Sequence, residues 1–149
     1  MKDSELKRIV HIAIIVKNIE KARTVWADLL GVEKPPIVET ESWESTHMMF
    51  KGAPSKGRAK LSFFNFENVV LEFIQPIGTE STWHDFLEKT GEGLHHIAFE
   101  VEDMDKMLDK FKKMGIEIEQ KGDFKGGSYV YIDSKNKLGT LIELLHYEK

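Results

Sequence analysis

The residues of this chain best suited to chemistry are two histidines and two glutamates, His11, His96, Glu72 and Glu143, because each pair occupies matching places in a repeat. "HIAIIV" at 11–16 and "HIAFEV" at 96–101 agree at four of six positions, which superposes His11 on His96. "VLEFI" at 70–74 superposes on "LIELL" at 141–145, which places Glu72 over Glu143. Taken singly, a strand histidine is more often a packed core or edge residue than a ligand, and a strand glutamate can sit on a solvated sheet face. In an otherwise apolar strand, however, a carboxylate must reach solvent, an edge or a compensating cation. If the first and last strands of each half are neighbours that line one concave sheet, the four side chains converge. Two imidazoles and two carboxylates would then hold a divalent ion and leave two of six octahedral positions open. With no cysteine in the chain, a metal here has to use His, Asp or Glu.

The elements that would position these residues follow from periodicity. Residues 8–16 are an apolar, β-branched run of strand length, and residues 18–30 switch to helical spacing, with Asn18 as cap and Gly31 as stop. Ala22, Val25, Trp26, Leu29 and Leu30 form that helix's apolar face. Residues 94–101 again read as a strand and 103–114 as a helix, with Met104, Met107, Leu108 and Phe111 on one face and Gly115 as stop. Strand-like stretches follow each helix, at 45–50, 60–66 and 69–74 in the first half and at 116–120, 128–133 and 140–145 in the second. The chain is therefore α+β, a single domain over 1–149 built from two βαβββ modules, residues 8–76 and 94–146. A short helix over 80–90, capped by Ser81, links them.

Strand alternation sorts the faces. Val10, Ile12, Ile14 and Val16 turn to the module's helix, and His11, Ala13 and Ile15 turn away from it. His96 shares its face with Ala98 and Glu100, whereas His95 belongs with Ile97, Phe99 and Val101 on the helix-packed side. His47, His84 and His146 read as residues outside the site, and the methionines of the second helix as core filler. "KGAPSKGR" at 51–58 lacks phosphate-loop spacing and reads as a hairpin connection. Gly126-Gly127 suits either a turn or a close approach to a ligand.

Composition narrows the function classes. The 149 residues are 41% hydrophobic and 31% charged, enough to bury a core. Net charge is −4 with no basic stripe, which argues against nucleic acid. No apolar run reaches membrane-spanning length and no export leader is evident, so a cytoplasmic location is expected.

The duplicated βαβββ plan, the two "HIA" strands and the paired strand glutamates resemble the vicinal oxygen chelate superfamily, which includes glyoxalase I, extradiol dioxygenases, resistance proteins and methylmalonyl-CoA epimerase. The resemblance covers residues 8–146 and implies a curved eight-stranded cup around a metal, with His11, Glu72, His96 and Glu143 as its ligands. The stretch 71–101, "LEFIQPIGTESTWHDFLEKTGEGLHHIAFEV", is most similar to methylmalonyl-CoA epimerases. The resemblance implies proton abstraction next to a thioester carbonyl, assisted by Co, Mn, Ni or Zn, on a small-molecule acyl thioester, by a homodimer. It assigns one base to Glu143. The second base falls in the long segment 35–58, where an ungapped count gives Lys56 and Glu41, Glu44 or His47 are the alternatives. Glu44 is the residue named for the role. Two other readings compete. One is a glyoxalase I-like lyase acting on a glutathione adduct. The other is a non-catalytic binding protein that stacks a ligand on Trp43, Trp83, Phe63, Phe64, Tyr129 or Tyr131.

Overall fold

A computed structural model describes residues 4–149. Its first module comprises β1 (Ile9–Ile15), α1 (Ile19–Leu30), β2 (Val38–Glu39), α2 (Trp43–Thr46), β3 (Met49–Phe50), β4 (Ala53–Pro54), β5 (Arg58–Asn65) and β6 (Val70–Ile77). The linking helix α3 (Thr82–Lys89) follows. The second module comprises β7 (Gly93–Glu100), α4 (Met104–Lys113), β8 (Ile118–Phe124), β9 (Gly127–Ile132), α5 (Lys135–Leu138) and β10 (Leu141–Tyr147). The strands form one curled mixed sheet in the order β2-β5-β6-β1-β7-β10-β9-β8-β3-β4. Among the described residues no helix is long and apolar enough to cross a membrane.

The helices begin and end where local chemistry dictates. Asn18 accepts the Lys21 amide at the start of α1, Ser81 the His84 amide at α3, and Asp103 the Lys106 amide at α4. Gly31 closes α1 in the left-handed conformation, at φ 68°. The apolar face of α1 is narrower than its sequence suggests. Ile19, Ala22, Trp26 and Ala27 pack on Val16, Phe64 and Phe73, while Val25, Leu29 and Leu30 stay exposed, Leu29 by 73%. A helix lying on a sheet buries one stripe, and positions a quarter-turn away from it face out. The face of α4 is as expected: Met107 and Phe111 are buried and Met104 and Leu108 flank them, over Val130, Ile132, Ile142 and Leu144.

The expected eight strands are ten. The stretch 45–50, expected as one strand, is the short helix α2 followed by the two-residue strand β3. Ser42 carbonyl accepts the Ser45 and Thr46 amides and Trp43 carbonyl accepts the His47 amide, so local helical bonds take the residues that alternation had assigned to a ladder. Residues 51–52 turn tightly between β3 and β4, with Lys51 at φ 50° and Gly52 at φ 83°; the hairpin expected over 51–58 is confined to this turn, because β5 pairs with β2 and β6 and not with β3. Besides β4, β3 pairs with β8 of the other module, through Met49 opposite Lys121, so this segment of the first module extends the edge of the second module's half of the sheet.

The centre of the sheet fixes the site. β1 pairs in parallel with β6, and β7 in parallel with β10, so the first and last strands of each module are neighbours. β1 and β7 pair antiparallel across the module boundary. Glu72 and His96 flank Ala13 on its two sides, and His11 and Glu143 flank Ala98. Both alanines are fully buried.

Candidate metal centre and its cavity

All four repeat-matched residues come together inside one chain. His11, Glu72 and His96 offer ligand atoms within 4.8 Å of one another. Glu143 joins them, its Oε2 lying 2.9 Å from His11 Nε2 and 2.7 Å from His96 Nε2. Glu72 Oε1 lies 3.5 Å from His11 Nε2 and 3.7 Å from His96 Nε2. The two Nε2 atoms are 2.9 Å apart. All four residues are buried.

These separations fit ligands that share one ion. Bonds of about 2.0–2.2 Å at right angles put neighbouring donors about 3 Å apart. Two Nε2 atoms and one carboxylate oxygen in mutual contact make three short contacts but carry at most one proton on each nitrogen, whereas one shared ion uses a lone pair of all three at once. The nitrogen and carboxylate donor set suits a borderline divalent metal.

Burial and charge set the protonation of the cluster. Burial pulls the His11 imidazolium down, but the Glu72 and Glu143 carboxylates outweigh it and raise its pKa to about 9. Burial also pushes Glu143 up, and the two imidazoles overcome that, holding it at about 2. Glu72 is farther from both rings, so burial wins there and its pKa is raised.

The cluster opens on a cavity of about 380 Å³ whose wall includes Glu41, Phe63, Trp83, Tyr129 and Tyr131 together with His11, Glu72 and Glu143. Of the six aromatics named as a stacking surface, Phe63, Trp83, Tyr129 and Tyr131 therefore line it. Phe64 does not: it is turned to the opposite sheet face and packs edge-on against Phe73 under α1. Trp43 is spent on the fold, donating its indole N–H to Met48 carbonyl.

The residues named for a second base fall in different places. Glu44 is exposed on α2 and outside the cavity wall, with its carboxylate drawn down by hydrogen bonds to its own backbone and to Ser42. His47 and Lys56 are also exposed and outside that wall; His47 stands 3.4 Å from Asp123. Glu41 lies on the wall. Its neighbour Glu39 lies there too, with its carboxylate turned to the Arg58 guanidinium at 3.4 Å.

His95 corrects the alternation argument. Ala13 pairs with His96 and Ile14 with Leu94, so His95 is the extra residue of a β-bulge. The bulge turns His95 toward α3 instead of α4. It stacks edge-on against Phe86 and Tyr131 and hydrogen-bonds Thr82 Oγ1 at 3.0 Å. Its other ring nitrogen, Nδ1, is 2.7 Å from His96 Nδ1. No single-strand pattern marks a bulge; the adjacent histidine pair after Gly93 was the available signal. Gly126-Gly127 resolves as a turn, with Gly126 at φ 91°, and the close neighbours of Gly127 are its own chain's His146 carbonyl and Phe124 ring.

A duplicated module that curls one sheet around an inward-facing His/Glu/His/Glu set defines a vicinal oxygen chelate protein. The model of the Glyoxalase/Bleomycin resistance protein/Dioxygenase superfamily matches residues 10–132, and the chain belongs to that family. Within it, the chain is 30% identical over 142 residues to an ethylmalonyl-CoA/methylmalonyl-CoA epimerase of Cereibacter sphaeroides, covering 92% of this chain and 96% of the relative. The fold matches the crystal structure of methylmalonyl-CoA epimerase from Mycobacterium tuberculosis at a TM-score of 0.68 and 20% identity, over 100% of this chain and 93% of that one. It also matches a Streptomyces coelicolor methylmalonyl-CoA epimerase variant in complex with 2-nitronate-propionyl-CoA, at a TM-score of 0.66 and 20% identity, over 97% and 99%.

Proposed function

We propose that this protein is a metal-dependent epimerase that removes and returns the proton next to the thioester carbonyl of methylmalonyl-CoA. The observation that carries the reading is the buried four-donor cluster at a cavity whose wall also includes Glu41. The epimerase relative that spans nearly the whole chain supports the substrate class.

The residues that would hold the ion are His11, Glu72, His96 and Glu143, and Co, Mn, Ni or Zn suits them. The chemistry such an ion supplies when bound is Lewis-acid stabilisation of the charge that develops on the acyl oxygens, worth several kcal/mol. Glu143, ionised at neutral pH, takes the α-proton at its carboxylate. Glu41 supplies or accepts the proton from another side of the cavity, a role for which it replaces Glu44. The apolar wall of Leu61, Phe63 and Leu145 excludes water from the acyl group. A homodimer belongs to this reading: Val25, Leu29 and Val32 leave an apolar surface at the outer side and end of α1, and light scattering gives the mass that checks it.

The test is deuterium exchange. Cobalt-reconstituted protein in deuterium oxide should exchange the α-proton of methylmalonyl-CoA, and a chelator-treated control should not. Glu143→Gln, which removes a metal donor as well as a base, should abolish exchange. Glu41→Gln should abolish epimerisation while leaving exchange from the other face. Near-wild-type turnover in Glu143→Gln would remove that residue from the role of base, and no exchange by protein with stoichiometric metal would remove the substrate.

A further inference from the structure

Behind His96 a buried chain of hydrogen bonds runs away from the cluster to the surface. His96 Nδ1 meets His95 Nδ1 at 2.7 Å, His95 Nε2 meets Thr82 Oγ1 at 3.0 Å, and Thr82 Oγ1 meets Glu119 Oε2 at 2.7 Å. Three separate parts of the fold build it: the bulge in β7, the first turn of α3, and β8. Thr82 is pinned independently, its amide donating to Gln120 Oε1, and Gln120 in turn donates to the Tyr129 hydroxyl. His95, His96 and Thr82 are each no more than 2% exposed. Glu119 stands at the outer end, on the groove between β8 and α4 that also holds Lys51.

We propose that His95, Thr82 and Glu119 are positioning residues for His96, holding the His96 proton on Nδ1 so that Nε2 can be presented to the cluster as a lone pair. The direction of every bond follows from the two ends. A carboxylate only accepts, so the Thr82 hydroxyl donates to Glu119. Its oxygen is then free to accept from His95 Nε2–H. A neutral His95 with its proton on Nε2 has a bare Nδ1, which accepts from His96 Nδ1–H. His96 then carries its ligating capacity on Nε2, the atom that faces Glu143 and His11. Starting from the cluster instead gives the same answer, since a ligating Nε2 must be bare and the proton must therefore sit on Nδ1. The two ends impose one polarity. The other His95 tautomer would set two N–H donors against each other at the 2.7 Å contact with His96 and two acceptors against each other at the 3.0 Å contact with Thr82.

The inference rests on the reading of the cluster as a metal site, and the experiment separates the two. Nitrogen-15 spectra of the histidine rings are recorded on the whole protein, metal-free and zinc-loaded, and zinc affinity is measured by competition with a chromophoric chelator. In both forms His95 should show its proton on Nε2 and a bare Nδ1, and His96 a proton on Nδ1. Thr82→Val should weaken zinc binding by about 10–100-fold at unchanged stoichiometry and shift the His95 and His96 ring nitrogens. Thr82→Ser should restore both. Glu119→Ala, at the half-exposed end, should move affinity and ring shifts in the same direction if Thr82→Val does not fold. A His95 proton on Nδ1 in the wild type would overturn the proposal, as would Thr82→Val with wild-type affinity and an unchanged ring spectrum. Wild-type protein that binds no zinc would defeat the metal reading, and the His95 tautomer in the metal-free protein would still decide the chain's polarity.

Discussion

Raising the pH of the metal-free protein from 6.5 to 9 should destabilise it, and adding metal should cancel the effect. Burial disfavours the His11 imidazolium, yet Glu72 and Glu143 raise its pKa from 6.5 to about 9. A folded-state pKa above the unfolded one means that the stabilisation is complete below pH 6.5 and is lost as pH rises through 9. At about 1.4 kcal/mol per unit, the shift is worth about 3 kcal/mol, and little is screened because the His11 side chain is only 9% exposed. On the acid side, Glu143 sits at about 2 against an ordinary 4.5, so its contribution is present above pH 4.5 and is lost toward pH 2. The two shifts describe opposite sides of one ion pair and are not added. The His11 and Glu143 contributions are therefore both complete between pH 4.5 and 6.5, while Glu72, whose pKa burial raises, acts in the opposite direction as pH climbs above 4.5. Metal must displace the His11 proton, so binding at pH 7 should release about one proton, and affinity should climb about tenfold per pH unit up to pH 9. Denaturant unfolding with chelator or with zinc, and calorimetry in two buffers of different ionisation enthalpy, measure both effects. Metal-free stability that is flat or rising from pH 6.5 to 9, or binding with no proton release, would refute the reasoning.

Three further perturbations probe the frame around the cluster. Ala98→Val adds two methyl groups between His11 and Glu143, where the alanine is fully buried; it should cost about 1–3 kcal/mol and abolish stoichiometric metal binding, read by denaturation and metal analysis. Phe73→Ala empties the packing of Trp26 and Phe64 beneath α1, and should lower stability by about 3–5 kcal/mol while the purified protein still binds metal. Asn18→Ala removes the acceptor for the Lys21 amide and should cost about 1 kcal/mol, seen as a lower denaturation midpoint with unchanged exchange activity.

Much of the fold was legible because it is written twice. The strand–helix order, the caps at Asn18 and Ser81, and the Gly31 stop each have a local cause that one sequence displays. The convergence of His11, Glu72, His96 and Glu143 needed only the pairing of first with last strands, which the module's repeat made the simplest arrangement. What sequence could not show is where the copies differ. β2 takes the place in the first half of the sheet that β8 takes in the second, but residues 40–57 between β2 and β5 have no counterpart between β8 and β9; their local helical bonds made α2 and their pairing with β8 crossed between modules, which left Glu44 off the cavity wall and Glu41 on it. The faces of α1 also misled, because hydropathy counts apolar positions and a flat sheet covers only one stripe of them.

The same asymmetry explains why the two histidines are not equivalent. The position before His11 holds Val10, while the position before His96 holds His95. A second histidine there would face the helix side of a regular strand, where nothing polar waits for it. The β7 bulge opposite Ala13 and Ile14 rotates it toward α3, a helix that occurs once in the chain, and α3 supplies the Thr82 hydroxyl. The extra residue, the added helix and the buried hydroxyl are mutually dependent: without the bulge His95 cannot reach Thr82, and without Thr82 its Nε2 would be buried without the partner it has here. The duplication accounts for four inward-facing donors, and the departures from it account for the orientation of one.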